Sequence, residues 1–338
     1  MITKLTVLIA AFVDILFMMQ VAEAASAIKH VFVIAMENTA ANQIYGNLTR
    51  APYINKSLLP KYARATNFND PLPKEDSEPH YIWMEAGTNT FPDHAFQSDD
   101  RPSASNSTAS TDHLVTQMKN SGTISWMTYQ EDINAKTGLC PIVSSFPYAA
   151  KHNPFVFFQD VSGNPPSKDN EYCQKHTKPY AAFAADLAAN KMAHYVFITP
   201  NLCHDMHGDP NCPEGHRVTA GDKWLSSALP RMIDWVNKNA GVIFIVWDEG
   251  SSTTETNIPF LAIGPGVKVK HASHVKYDHG SLVRSIEEIF NLPILPAVSQ
   301  NNNLADMFNG LLTASEKSGP SVCPGREQPQ GDMSLRRT

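Results

Sequence analysis

Gly241-Val-Ile-Phe-Ile-Val-Trp-Asp-Glu-Gly250 (GVIFIVWDEG) is the most apolar run of the chain after its amino-terminal segment, and it ends in two adjacent carboxylates. Such a run predicts a strand buried on both faces, as in a parallel sheet covered by helices. Asp248 and Glu249 are costly to desolvate unless a cation or another partner lies beside them. Because open α/β sheets bind ligands at the carboxyl ends of their strands, the run predicts a metal site at that edge.

Two further apolar runs end in the same way. Residues 29–36 lead into Glu37-Asn38, and residues 194–200 lead into Asn201-Leu-Cys-His-Asp-Met-His207. One polar strand ending is often only a capped loop, but three together indicate a single site at one edge of a sheet. Strand-like and helical segments alternate along the chain, which predicts an α/β fold with a doubly wound, mostly parallel central sheet flanked by helices.

The composition fits an α/β protein of one large domain or two small ones, with 338 residues, 42% hydrophobic and 18% charged. The net charge of −6 argues against a nucleic-acid partner. Residues 88–180 are rich in Ser, Asn, Asp, Pro and aromatics and show few clean periods, so they are predicted to be loop-rich insertions that wall the site rather than form the sheet. We expect one catalytic domain over residues 25–313 and a polar tail over residues 314–338.

The amino terminus has the pattern of a secretory signal. A basic residue precedes the apolar stretch 5–19, and the small-x-small site Ala22-Glu-Ala24 follows it, so residues 1–24 are predicted to be a signal peptide. The stretch is short for a membrane span and contains Asp14, which argues against an uncleaved anchor. We therefore expect a secreted or periplasmic protein with no stable membrane insertion after cleavage.

Five cysteines fit an oxidising compartment. The predicted disulfides are Cys140 with Cys173 and Cys203 with Cys212, which leaves Cys323 over. The second pair could instead bind zinc together with His204 and His207, although this spacing matches no familiar zinc module.

Several segments resemble a known family. Met36-Glu-Asn-Thr-Ala-Ala-Asn-Gln-Ile-Tyr-Gly46 resembles the opening signature of the bacterial phosphoesterase family that contains acid phosphatase A and the non-haemolytic phospholipases C. Further matches follow in order at Ser77-Glu-Pro-His-Tyr81 with Gly87, Lys151-His-Asn-Pro154, residues 200–207, residues 247–250 and residues 279–287. Each is weak alone, but the ordered set spans residues 28–292. The family is similar in fold to the alkaline-phosphatase superfamily, which implies a site at the carboxyl ends of the strands.

The resemblance implies that Ser77 is a nucleophile that attacks phosphorus from the amino end of a helix. That end offers free N–H groups and a positive dipole, which suit a phosphoryl dianion. Taken alone, Ser77 could be a simple helix N-cap. Where the family usually has Asn, this chain has His80, which we expect to donate a hydrogen bond to a phosphoryl oxygen.

A metal ion is expected beside the nucleophile. The predicted ligands are Glu37, Asn38, Asp248, Glu249 and the Ser77 hydroxyl. These hard oxygen ligands suit one divalent, oxygen-preferring cation whose identity stays open. Such an ion would orient Ser77 and neutralise charge on the transferring group.

Relatives with two metals hold the second with Asp and His residues of the later motifs. Those positions carry Asn201, His204, Asp205, His207 and His279 here. Because Asn201 is uncharged and imidazoles can be cations, we expect one metal, with protonated histidines in place of the second. With Ser77 and His80, the predicted catalytic residues are His204, His207 and His279, and one of these last three would protonate the leaving alkoxide. Asn201, Asp205 and His152, with His80, are the predicted substrate-binding residues. Each of these histidines could instead be structural. Because the reference pKa of histidine is about 6.5, protonated catalytic histidines predict an enzyme that works best under acidic conditions.

The predicted function is a secreted, metal-dependent acid phosphatase that hydrolyses small phosphate monoesters through a phosphoseryl intermediate at Ser77. The alternative is a phospholipase C or another phosphodiesterase on the same scaffold. The aromatic segments 145–148 and 153–158 support that alternative, although a packed core explains them equally well. The family's phospholipases are typically much longer, which favours the phosphatase. A non-catalytic binding protein would have a broken ligand set, whereas this one is intact.

Overall fold

A computed structural model describes residues 28–213, 215–310 and 312. The predicted signal peptide, the polar tail and Cys323 therefore lie outside the described residues. Within the described ranges, no helix combines the length and the apolar character that crossing a membrane requires.

One eight-stranded sheet organises the described part of the chain. Its strands are β1 (His30–Met36), β2 (Ala63–Ala65), β3 (Trp126–Gln130), β4 (Thr177–Pro179), β5 (Tyr195–Thr199), β6 (Gly241–Trp247), β7 (Phe260–Ile263) and β8 (Ala272–Ser273). Their order across the sheet is β4-β3-β5-β1-β6-β7-β2-β8. β7 is antiparallel to β6 and β2, and the other pairings are parallel. The predicted α/β fold with a mostly parallel sheet is confirmed.

Helices flank this sheet. They are α1 (Ala41–Ile44), α2 (Ser77–Ala86), α3 (Leu114–Ser121), α4 (Gln159–Ser162), α5 (Glu171–His176), α6 (Phe183–Ala188), α7 (Arg217–Lys238) and α8 (His279–Phe290). Short 3₁₀ turns occupy Ala150–His152, Pro154–Phe157, Tyr180–Ala182, Pro296–Val298 and Leu304–Met307, and a π turn occupies Ile54–Leu58.

The register of the two central strands fixes where the site lies. Every residue of β6 is buried, as expected for an aliphatic strand covered on both faces. β1 pairs with it in parallel along its whole length, so that Met36 lies opposite Trp247. The Asp248 amide donates to the Met36 oxygen at 2.9 Å. Glu37 and Asp248 therefore leave the sheet side by side at its carboxyl edge.

Part of residues 88–180 belongs to the sheet, so the prediction that this region only walls the site was wrong. β3 pairs in parallel with β5, and β4 continues the sheet beyond β3. The sequence of β3, Trp-Met-Thr-Tyr-Gln, contains polar residues, so it does not indicate that this strand is buried. The Gln130 side-chain nitrogen donates to Thr128 Oγ1 in the same strand at 2.8 Å and to Thr199 Oγ1 in β5 at 3.0 Å. A strand whose polar groups bond within the sheet lacks the apolar run that marks β1 and β6.

Two disulfides join the predicted cysteine pairs. Cys140 bonds to Cys173, and Cys203 bonds to Cys212. The zinc alternative for the second pair is therefore excluded. That disulfide closes the loop after β5, which contains Asp205 and His207.

Candidate active site

Buried carboxylates lie at the carboxyl ends of β1 and β6. Glu37 and Asp248 are fully buried. The main-chain N–H of Asn38 donates to Asp248 Oδ1 at 2.9 Å. Asn38 has a φ of 36°, which is uncommon for a residue with a side chain. The turn after β1 is thus held in a strained conformation, of the kind that often occurs at functional sites.

Ser77 is the first residue of α2, and its hydroxyl faces these carboxylates. Its Oγ lies 3.2 Å from Glu37 Oε2 and 3.3 Å from Glu249 Oε1. Asp76 occupies the N-cap position without a side-chain cap. The N-cap alternative for Ser77 is therefore wrong, and its hydroxyl is directed at the acidic cluster instead of at the helix backbone.

The acidic cluster has the chemistry of a cation site. The buried ligand atoms without a hydrogen-bond partner include Glu37 Oε1, Asn38 Oδ1, His152 Nε2, Asp205 Oδ2 and Asp248 Oδ2. Burial, with mutual repulsion, raises the pKa of Glu37, Asp205 and Asp248 well above its ordinary value. Burial raises the pKa of Glu249 to about 7. A divalent cation would neutralise this cluster and satisfy the unpaired atoms, so these residues fit the metal that the fold implies.

A compact triad within the cluster includes two residues that the sequence did not predict as ligands. Glu37, His152 and Asp205 each offer one ligand atom, and these atoms lie within 4.8 Å of one another. His152 Nε2 is 3.3 Å from Glu37 Oε1, and its ring stacks on Tyr81 at 4.9 Å. His152 and Asp205 therefore lie against the carboxylates themselves.

Both ring nitrogens of His80, the predicted donor to a phosphoryl oxygen, have partners within the protein. Its Nδ1 donates to the main-chain oxygen of Asp76 at 2.7 Å, and its Nε2 contacts Asp70 Oδ1 at 2.8 Å. Both nitrogens are occupied, so neither is available to a phosphoryl oxygen in this arrangement. Burial lowers the pKa of His80, but the hydrogen bond and charge of Asp70 outweigh burial and raise it to about 9. A neighbouring loop carboxylate, which no sequence pattern marked, takes the Nε2 hydrogen bond of this side chain.

Burial lowers the pKa of two other histidines, which favours the neutral form of each ring. The His279 Nε2 donates to the Trp247 oxygen at 2.8 Å, and burial with the nearby charge of His80 lowers its pKa to about 4. Burial likewise lowers the pKa of His152 well below its ordinary value, assisted by the charges of Lys151 and His207. The expectation of a protonated His279 is therefore corrected, since this buried ring has no carboxylate partner to hold its charge.

The loop after β5 divides its predicted residues between two places. His204 Nδ1 lies 3.0 Å from Glu131 Oε2, and the Asn201 side chain donates to Asp132. The structure pairs both residues with acids at the end of β3 instead of with the site carboxylates. His207 stays near the site, with its ring 6.0 Å from that of His152. Its Nδ1 donates to the main-chain oxygen of Gly208 at 2.7 Å, so its Nε2 is the ring nitrogen left for other contacts.

Residues 71–293, more than half of the chain, match the Phosphoesterase family. The chain belongs to this family. Family membership makes it a phosphoric ester hydrolase. The resemblance predicted from the ordered motifs is confirmed.

Relatives of this phosphoesterase include two phosphatases. The phosphatidylinositol-3-phosphatase of Mycobacterium tuberculosis is 26% identical over 277 residues, which cover 81% of this chain and 82% of that protein. The phosphate-repressible acid phosphatase of Penicillium chrysogenum is 27% identical over 193 residues, or 54% of this chain and 43% of that protein. The chain thus spans less than half the length of the fungal enzyme.

The fold of this phosphoesterase is that of the alkaline phosphatase superfamily. A superfamily member from Vibrio parahaemolyticus superposes with a TM-score of 0.52 at 12% identity, over 83% of this chain and 70% of that one. At this identity the likeness concerns the fold alone.

Four residues around the site of this phosphoesterase escaped the sequence analysis. They are Asp70, Asp99, Lys151 and Arg217. Lys151 stands in a motif that matched the family, and that position was the available signal. No sequence signal marked the other three residues, because they act through contacts between distant parts of the chain.

Proposed function

We propose that this protein is a metal-dependent acid phosphatase that hydrolyses small phosphate monoesters through a phosphoseryl intermediate at Ser77. The observation that carries the proposal is the position of the Ser77 hydroxyl, at the amino end of α2 and within 3.3 Å of both Glu37 and Glu249. A nucleophile there faces a helix dipole and a cation site together, and both stabilise phosphoryl charge.

We propose that one divalent metal ion is bound there. Its ligands would be Glu37, Asn38, Asp248, Glu249 and Ser77 Oγ, and His152 and Asp205 offer further ligand atoms beside Glu37 Oε1. When bound, the ion supplies Lewis-acid stabilisation of the serine alkoxide and of the phosphoryl charge. Neutral His152 suits this position, because a metal ligand must offer an unprotonated nitrogen.

The residues of the chain account for the two chemical steps of the proposal. Ser77 Oγ attacks phosphorus after its proton passes to the carboxylate that accepts its hydrogen bond, and the bond to the leaving oxygen breaks. His207 gives the Nε2 proton to that oxygen. Water then attacks the phosphoserine and gives a proton to the same nitrogen, the bond from phosphorus to Ser77 Oγ breaks, and inorganic phosphate leaves. The carboxylate returns its proton to Ser77 Oγ, which restores Ser77, the carboxylate and His207.

A phosphodiesterase, such as a phospholipase C, is the second candidate. A cavity of about 440 Å³ has Phe146, Tyr148 and Leu202 among its lining residues, and Phe146 is 49% exposed. This apolar wall would suit a large ester group. By contrast, Phe155, Phe157 and Phe158 are buried core, so segment 153–158 gives the diester reading no support.

The test is an assay of metal-loaded protein on matched phosphate monoesters and diesters between about pH 5 and 8, which brackets the reference pKa of histidine. Acid quenching followed by mass spectrometry should find phosphate on Ser77. Ser77→Ala should abolish both turnover and labelling, whereas Ser227→Ala, at an exposed position of α7, should change neither. A preference for diesters would favour the second candidate, and turnover without a phosphoserine would refute the intermediate.

Two features support a proposed location outside the cytoplasm. The predicted signal peptide is one, and the two disulfides, which persist in oxidising compartments, are the other. We therefore propose that the enzyme is secreted or periplasmic.

A further inference from the structure

Lys151 lies beside the proposed phosphoryl site without a role in the chemistry described so far. It belongs to the short turn Ala150–His152, which packs against α2, and it directly precedes His152. Its side chain is 20% exposed and forms an ion pair with Asp99. The ammonium group is thus held at the border between the acidic cluster and solvent.

Asp99 connects this ammonium group to the start of the nucleophile helix. Its Oδ1 accepts a hydrogen bond from the Glu78 amide at 3.4 Å, and its Oδ2 pairs with Lys151. Glu78 directly follows Ser77, so the carboxylate of Asp99 takes the amide that a phosphoryl oxygen would use at this helix end. Asp99 therefore occupies the place of an anion between the amide and the ammonium group.

Two other cations close to the cluster, His80 and Arg217, already have hydrogen-bond partners. His80 has a partner at each ring nitrogen. The Nη1 of Arg217 donates to three oxygen atoms at 2.7 to 2.9 Å. By contrast, the long side chain of Lys151 meets a single carboxylate that is itself 31% exposed, so a competing anion can replace that carboxylate.

There is also room for a substrate on this side. The cavity of about 440 Å³ is lined by Lys151 and Asp99, and also by the apolar side chains of Phe146 and Leu202. An ester whose phosphoryl group lies at the amino end of α2 could place its alcohol in this cavity. Lys151 would then meet the phosphoryl oxygens at the point where the two parts join.

We propose that Lys151 binds a non-bridging phosphoryl oxygen and gives this phosphoesterase its preference for dianionic monoesters, while Asp99 holds the ammonium group when no substrate is bound. The proposal rests on the proposed function. An ammonium group is a compact charge that attracts a dianion about twice as strongly as a monoanion at the same distance. A diester carries only one negative charge, so it gains less from Lys151.

The test compares Lys151→Met, Lys151→Arg and Asp99→Asn with the wild type. Two esters of the same aryl alcohol serve as substrates, a monoester and its methyl diester, at about pH 8, where the monoester is a dianion. Lys151→Met should lower kcat/KM for the monoester about 100-fold, the usual effect of losing one transition-state contact. The diester should lose only about 10-fold, since half the attraction in free energy corresponds to the square root of the fold-change. Lys151→Arg should keep the preference for the monoester.

Binding of inorganic phosphate, measured by calorimetry, gives a second readout that needs no turnover. Lys151→Met should weaken phosphate binding, whereas Asp99→Asn should strengthen it, because it removes the competing carboxylate. If the ion pair were merely structural, both variants would change binding in the same direction, and the proposal would be wrong. An equal loss on both esters would also overturn it.

A matched control is Lys168→Met, in the same insertion, whose side chain is 62% exposed and pairs only with exposed Asp169. It should leave both readouts unchanged. If the wild type hydrolyses neither ester, the proposed function fails, while the phosphate measurement still decides whether Lys151 binds the anion.

Discussion

Arg217, the first residue of α7, donates through Nη1 to the main-chain oxygen of Asn38 at 2.7 Å. The same nitrogen donates to the main-chain oxygen of Met206 at 2.7 Å. Asn38 and Met206 have φ values of 36° and 82°, in the left-handed region that side chains rarely adopt. One guanidinium thus joins the strained turns after β1 and β5, which carry Glu37 and Asp205.

Replacing Arg217 should loosen the metal site. Arg217→Met leaves the main-chain oxygens of Asn38 and Met206 without their charged donor, so we expect a stability loss of about 1–3 kcal/mol. Metal affinity should fall about 10- to 100-fold, as for other residues that orient ligands. Titration calorimetry with the metal and thermal unfolding measure the two effects. Arg231→Met, at an exposed position of the same helix, is the control, and wild-type metal affinity in Arg217→Met would contradict the assignment.

Gly221 allows α7 to approach the loop that carries Asp205. A Cβ at this position would lie 2.3 Å from Met206 Cγ and 3.0 Å from the His204 oxygen. Gly→Ala in a helix ordinarily stabilises by about 1 kcal/mol, but here we expect a net loss of about 1–3 kcal/mol from overpacking. Activity should fall as well, because the loop must move. Denaturant unfolding and kcat would show this, and a stabilised, fully active Gly221→Ala would refute it.

The disulfide between Cys203 and Cys212 encloses Asp205 and His207 and should position them. Replacing both cysteines by Ser should cost about 2–3 kcal/mol, the range for so short a loop. It should also weaken metal binding. Replacing Cys140 and Cys173 is the matched comparison, since that bond lies in the insertion and should affect stability alone. Equal effects of the two pairs on metal affinity would rule out a positioning role for the first.

The pair of His80 and Asp70 should make stability depend on pH in chelator-treated protein. The pKa of His80 is raised from 6.5 to about 9, so its stabilising contribution is complete below about pH 6.5 and is lost as the pH rises through about 9. At about 1.4 kcal/mol per pKa unit, the contribution is roughly 3 kcal/mol. The stability gap between wild type and Asp70→Asn should therefore be wide at pH 6 and narrow above pH 9.

Denaturant unfolding at both pH values measures this gap. Asp234→Asn, which alters an exposed pair with Lys238, should show no pH-dependent gap. A gap for Asp70→Asn that widens above pH 9 would mean that His80 is not the titrating group.

The sequence predicted the sheet and the polar residues at its carboxyl edge because strand burial produces a recognisable pattern in the local sequence. Strands such as β1 and β6, covered on both faces, must be apolar throughout, and polar residues directly after them stand out. That contrast located Glu37, Asn38, Asp248 and Glu249. The ordered motifs added Ser77, and the cysteine count, which fits an oxidising compartment, led to the two predicted disulfides.

Only the tertiary structure decided which partner each polar side chain takes. Asp70 occupies His80, Glu131 draws His204 away, and Asp99 holds Lys151. β3 escaped prediction for a related reason, since Gln130 satisfies its polar neighbours inside the sheet. Burial and charge act through space between residues far apart in the chain, so no local pattern specifies them. The sequence by itself therefore determined the fold and the residues at the sheet edge, whereas the packed structure determined which of them face the proposed substrate.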